Sequence, residues 1–133
     1  LIAEAELAFV CCSLNASSRE LFGAALLERM REDVVLTSVS PNGVFDVDAV
    51  AAAFAARPRA HATLDLDCID PSHPLLRLAN VTVTPHVAFL TEESLARRFD
   101  GCIDALHGFL RRTPISYISP HVSGAVPAAA ARA

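Results

Sequence analysis

The stretch Leu64–Glu93, LDLDCIDPSHPLLRLANVTVTPHVAFLTEE, decides the fold. Val81-Thr82-Val83-Thr84 is an apolar, β-branched run of the length of a buried strand. Pro85 ends it, because proline has no N–H to give to a ladder. Thr91-Glu92-Glu93 then reads as the acidic first turn of a helix. His86 is thereby set at the carboxyl end of a strand, sixteen residues after an acid, Asp70. In open α/β sheets ligands gather at those ends, so the stretch predicts both a strand–helix unit and an acid–histidine site.

The rest of the chain repeats the alternation. Phe9–Cys12, Val34–Leu36 and Ala62–Leu64 are further short apolar runs. Arg19–Arg31, Asp46–Ala56 and Thr91–Arg112 carry apolar residues every three or four positions, with Asp46 as an N-cap. Strand–helix repeats of this size imply parallel strands joined by right-handed crossovers. The expected fold is therefore α/β: a partial Rossmann-like three-layer α/β/α arrangement around a parallel sheet of about four strands. After Pro114, Ile115–Ile118 reads as a short extended piece, and residues 119–133 as a flexible tail.

With 133 residues, 53% of them hydrophobic, the chain has the material for one core. No apolar run approaches the roughly 20 residues that cross a bilayer, and LIAEAELAF has no basic segment ahead of it, so a soluble, cytoplasmic protein is expected. The formal charge of −4 comes without a basic patch, which argues against nucleic acid. All eleven basic residues are arginine, which rules out Schiff-base chemistry and a P-loop lysine within this chain. Cys11, Cys12, Cys68 and Cys102 lack zinc-ligand spacing and read as buried or half-buried free thiols, with Cys11 and Cys12 on a strand. Asp65 and Asp67 stand two apart without a third ligand, so no metal site is expected. His61, His73, His107 and His121 have no partners at useful spacing and are given surface or loop roles.

Three blocks together carry a resemblance: VLTSVSPNGVFDVDAV at Val35–Val50, LDLDCIDPSHPLLRLANV at Leu64–Val81 and TPHVAFLTEES at Thr84–Ser94. Read without a gap from Ala3 to about Ile118, the chain resembles the later half of the NAD-binding domain of the D-isomer-specific 2-hydroxyacid dehydrogenases, with the helix that leads out of it. On this reading residues 1–118 form that half-domain and its exit helix. The resemblance implies hydride transfer between NAD or NADP and a 2-hydroxy or 2-keto acid, with a histidine exchanging the hydroxyl proton and a carboxylate orienting it. His86 falls on the family's histidine and Asp70 on its glutamate. Asp65 falls on the aspartate that holds the nicotinamide amide, and Cys12, Val39, Ser40 and Ala88 fall on cofactor-lining positions. A homodimer is implied in the same way.

The departures are as informative. The family's V-N-x-x-R-G-G-x-V-D becomes the segment Leu36–Asp46, with Pro41 where an arginine grips the substrate carboxylate; proline has no donor to offer one. The family's His-x-Pro is here Cys11-Cys12-Ser13, and Phe89 stands where a small residue is usual. The Gly-x-Gly-x-x-Gly turn that meets the pyrophosphate is missing, since the glycines are Gly23, Gly43, Gly101, Gly108 and Gly124. A piece of a longer protein, whose earlier segment supplies the turn and the substrate domain, is the simplest expectation. The alternatives to an enzyme are a non-catalytic NAD-binding sensor and an interaction scaffold of the same fold. Asp70 before Pro71 also has a plain reading as a turn former.

Overall fold

A computed structural model describes residues 1–113. The expected Ile115–Ile118 strand, the tail and His121 lie outside the described residues. Two compact units are present, Leu1–Phe89 and a second that begins at Leu90. The first holds four strands, β1 (Leu7–Val10), β2 (Val35–Ser38), β3 (His61–Asp65) and β4 (Val81–Thr84), and two helices, α1 (Ala24–Leu27) and α2 (Val47–Ala55). Short 3₁₀ turns at Asn42–Val44 and Pro74–Arg77 complete it. The strands form one parallel sheet in the order β1-β2-β3-β4, with Leu36 opposite Ala8 and Ala62, and Leu64 opposite Ser38 and Val83.

That register puts alternate residues on one face. Val10, Leu36, Ala62 and Leu64 are buried there with Val50, Ala51 and Phe54 of α2 and with Leu27, Met30 and Leu75. The opposite face carries Leu7 and Phe9, 54% and 68% exposed, and the half-exposed Val35. Asn80 ties the end of α2 to the start of β3, because its amide donates to the carbonyls of Phe54, Arg57 and Ala60 at 2.9–3.1 Å. Asp46 caps α2 as expected, accepting from the Ala49 N–H at 2.9 Å.

Two elements differ from the sequence pattern. The first strand ends at Val10, so Cys11 and Cys12 lie beyond it. The first helix shrinks from thirteen expected residues to Ala24–Leu27. Its would-be first turn is diverted: the Glu20 N–H donates to the Gly43 carbonyl and the Phe22 N–H to the Val44 carbonyl, with Glu20 in the left-handed region at φ 51°, so these residues leave the helical ladder. Phe22 is then drawn into an isolated bridge with Phe45, the two rings 5.0 Å apart. Cys11, Cys68 and Cys102 are exposed and only Cys12 is half-buried, so the expected burial of the thiols does not hold for those three.

The second unit carries the longest helix, α3 (Glu92–Leu110), capped by the Thr91 hydroxyl, which accepts from the Ser94 N–H. Its apolar stripe, Leu95, Phe99, Ile103 and Leu106, is exposed. Among the described residues no helix is long and apolar enough to cross a membrane.

Candidate functional site

The carboxyl ends of β2, β3 and β4 surround a cleft of about 370 Å³. Residues 39–43 wall it after β2, Asp65, Asp67 and Cys68 at the end of β3, and His86 after β4. A smaller hollow of about 260 Å³ shares Val39, Asp65 and His86 with it and adds Ala88 and Phe89. Parallel strands bring these residues together because all four finish at one end of the sheet.

Asp65, the last residue of β3, is buried, and its carboxylate is met by three donors. Oδ1 accepts from the Thr84 hydroxyl at 2.6 Å and the Val87 N–H at 2.8 Å, and Oδ2 from the Ala88 N–H at 2.8 Å. Burial pushes the carboxyl pKa up, but the bonds from Thr84, Ala88 and Val87 outweigh it and hold it below the ordinary carboxylate value. These donors straddle His86, whose backbone sits in the left-handed region at φ 51°. Such a conformation costs a non-glycine residue on the order of 1–3 kcal/mol unless its surroundings impose it, and the Asp65 carboxylate is what imposes it here.

The His86 ring has a carboxylate partner, and it is Asp67. Nδ1 lies 3.2 Å from Asp67 Oδ2. Asp70, the expected partner, is committed elsewhere. Its Oδ1 accepts from the Ser72 N–H at 2.8 Å and hydroxyl at 2.7 Å, and its carbonyl accepts from the His73 N–H. The Ser72 backbone and then its hydroxyl lower the Asp70 pKa. Asp70 thus closes the turn before Pro74–Arg77, as an aspartate ahead of a proline commonly does. A carboxylate only accepts hydrogen bonds, so the Asp67 contact calls for a proton on Nδ1 and leaves Nε2 as the nitrogen that takes or gives one.

Asn42 holds Asp67 from across the cleft. Its Oδ1 accepts from the Asp67 N–H at 2.7 Å, and its Nδ2 donates to the Asp67 carbonyl. Cys68, next in the chain, turns away at φ 38°. Neither Asn42 nor Asp67 stands out in the sequence as part of an acid–base site. The one signal for Asn42 is that it occupies a glycine of the family pattern, and Asp67 was visible only as the second acid of Leu-Asp-Leu-Asp.

Of the expected cofactor positions, Val39, Ser40, Asp65 and Ala88 all border the two hollows, whereas Cys12 is in the wall of neither. Cys12 is tied to the site through Ser40, whose hydroxyl accepts from the Cys12 N–H at 2.8 Å. Ser40 is buried, and its own N–H donates to the Ser38 hydroxyl. Pro41, at the arginine's position, walls the cleft and offers no donor. His73, expected to lack a partner, has two: its Nδ1 accepts from the Leu75 N–H, and Nε2 lies 3.1 Å from Asp48. No cluster of metal-ligating side chains occurs among the described residues.

These walls suit the nicotinamide end of a dinucleotide. Val39 and Ala88 are apolar, and Asp65 Oδ2, with one N–H bound, keeps capacity to accept from a carboxamide. A profile of the D-isomer specific 2-hydroxyacid dehydrogenase NAD binding domain matches residues 1–88. Glyoxylate/hydroxypyruvate reductase B of Salmonella newport is 30% identical over 131 residues, covering 93% of this chain and 40% of the relative. The chain thus spans about two fifths of the length of that relative. Among solved structures, an acyclic imino acid reductase in complex with NADPH and D-Arg superposes with a TM-score of 0.82 at 22% identity, over 89% of this chain and 38% of that one. A D-isomer specific 2-hydroxyacid dehydrogenase from Xanthobacter autotrophicus Py2, in complex with NADPH and MES, gives 0.74 at 26%, over 90% and 50%. The chain belongs to the D-isomer specific 2-hydroxyacid dehydrogenase family, through that family's NAD binding domain.

Proposed function

We propose that the protein is an NAD(P)-dependent oxidoreductase that interconverts a 2-hydroxy acid and its 2-keto acid, with His86 as the group that exchanges the hydroxyl proton. The observation that carries this reading is the His86–Asp67 contact in a cleft at the carboxyl ends of parallel strands, beside a buried Asp65. A bound nicotinamide supplies or accepts the hydride. His86 Nε2 takes the hydroxyl proton in oxidation and returns it in reduction, which is general base and general acid work at one nitrogen. Asp65 holds the backbone on both sides of His86 and is the group that meets the nicotinamide amide. Val39, Ser40 and Ala88 form the surrounding wall. The pyrophosphate turn is not in this sequence, so these residues serve the nicotinamide half of the cofactor.

The substrate carboxylate meets no guanidinium at position 41, so its grip comes from groups other than that residue. A homodimer belongs to the same reading, supported by the exposed apolar stripe of α3. The test uses the full-length protein. NADH or NADPH is expected to bind, a 2-keto acid such as glyoxylate to oxidise it, and His86→Ala to lower turnover about 10²–10⁴-fold while cofactor binding persists. Turnover untouched by His86→Ala removes the reading. A second reading, a non-catalytic NAD-binding sensor, is favoured by Pro41 and by the Phe89 ring set edge-on to His86, centroids 5.5 Å apart. It predicts cofactor binding with no keto acid turned over.

A further inference from the structure

We propose that Asn42 and Asp67 form a positioning relay that sets the ring of His86, in the role that alignment with the family gives to Asp70. The inference rests on His86 being the proton-exchanging group and adds what orients it. The His86 and Asp67 side chains are 54% and 64% exposed. An exposed contact of this kind is too weak to hold two mobile side chains in one geometry. Their alignment must come from the backbone at either end of the contact.

Both ends are held. At the His86 end, Thr84, Val87 and Ala88 all donate to Asp65. At the Asp67 end, one Asn42 amide satisfies both backbone polar groups of Asp67. A side-chain amide offers a donor and an acceptor side by side, as a neighbouring strand does. Asn42 therefore extends the β2–β3 pairing to residue 67, two residues past the end of β3. The left-handed turn at Cys68 then carries the chain away, and Asp70 is taken up by Ser72. The resembling pattern has arginine and glycine at 41 and 42, and this chain has Pro41 and Asn42. A glycine has no side chain with which to make this clamp, so the relay is a property of this sequence. The loss of the arginine and the gain of the relay lie in adjacent residues.

The relay predicts one tautomer, with the proton on Nδ1, whenever His86 is neutral. Long-range ¹H–¹⁵N NMR of the full-length protein, at a pH where the ring ¹⁵N shifts themselves show a neutral imidazole, reads it directly, with the His86 signals assigned through His86→Gln. Wild type is expected to show the Nδ1–H form. Asn42→Ala and Asp67→Asn are each expected to lose that single form, and Asp70→Asn to retain it. Asn42→Asp is the isosteric second variant should Asn42→Ala fail to fold. It keeps the acceptor for the Asp67 N–H, loses the donor to the Asp67 carbonyl, and is expected to loosen the tautomer as well. A tautomer that survives the Asn42 and Asp67 substitutions, or one that is lost in Asp70→Asn, overturns the relay. Since no turnover is needed, a fixed tautomer in a protein that reduces no keto acid would keep the relay and remove the oxidoreductase reading.

Discussion

The two sides of the cleft hold their contribution to the site by opposite means. On the β4 side a buried carboxylate, Asp65, gathers three donors and forces the loop around His86. On the β2 side a partly exposed amide, Asn42, clips the backbone of a largely exposed Asp67. The Asp65 grip puts a buried acceptor against donors nearer the surface, so its bonds are partly shielded from water and a lost partner is costly. The exposed grip competes with water and is worth less in stability. The difference teaches that the histidine is placed by the fold, whereas its partner is placed by a single replaceable side chain.

The sharpest way to break that contrast is Asp65→Asn. The amide nitrogen cannot accept from the Ala88 N–H, so at this buried side chain a donor is left facing a donor, and a loss of about 1–2 kcal/mol in unfolding free energy is expected from urea titration. Acid should imitate it. The Asp65 pKa is lower in the folded chain than in the unfolded one, so its contribution is complete above the unfolded value of about 4 and fades as pH falls through the folded value. Wild type should therefore lose stability on acidification over that range, and Asp65→Asn should lose less. Asn42→Ala comes next: about 1 kcal/mol of stability, with the His86 tautomer as the more sensitive readout. Asp70→Asn is expected to leave stability close to wild type, because the exposed turn keeps an amide oxygen that still accepts from Ser72. A larger effect at Asp70 than at Asn42 would reverse the comparison.

The sheet was legible because strands at its centre are short, apolar and β-branched, and Pro85 and Asp46 mark element ends by their chemistry. The first strand is shifted because Cys11 and Cys12 look as apolar as the strand itself. The first helix is overextended because a periodic pattern does not reveal that Glu20 and Phe22 pair with the backbone of Gly43 and Val44 instead. At the site, His86 and Asp65 were legible from their positions at strand ends. Asp67 was not, because linear spacing favours the acid before a proline. Only the left-handed turn at Cys68 and the Asn42 clamp, both three-dimensional facts, decide which acid reaches the ring.

The left-handed backbone at residue 86 bears on how this chain would fare under selection for robustness. Glycine adopts that conformation without steric penalty, so His86→Gly is expected to leave thermal stability unchanged or raise it by up to about 1 kcal/mol, by differential scanning calorimetry. A library screened for folding alone would then tolerate the loss of the His86 imidazole. Proteolytic survival and the proton exchange proposed for His86 would part company at this position, and a thermostabilised descendant obtained without a functional screen is where that divergence should surface first.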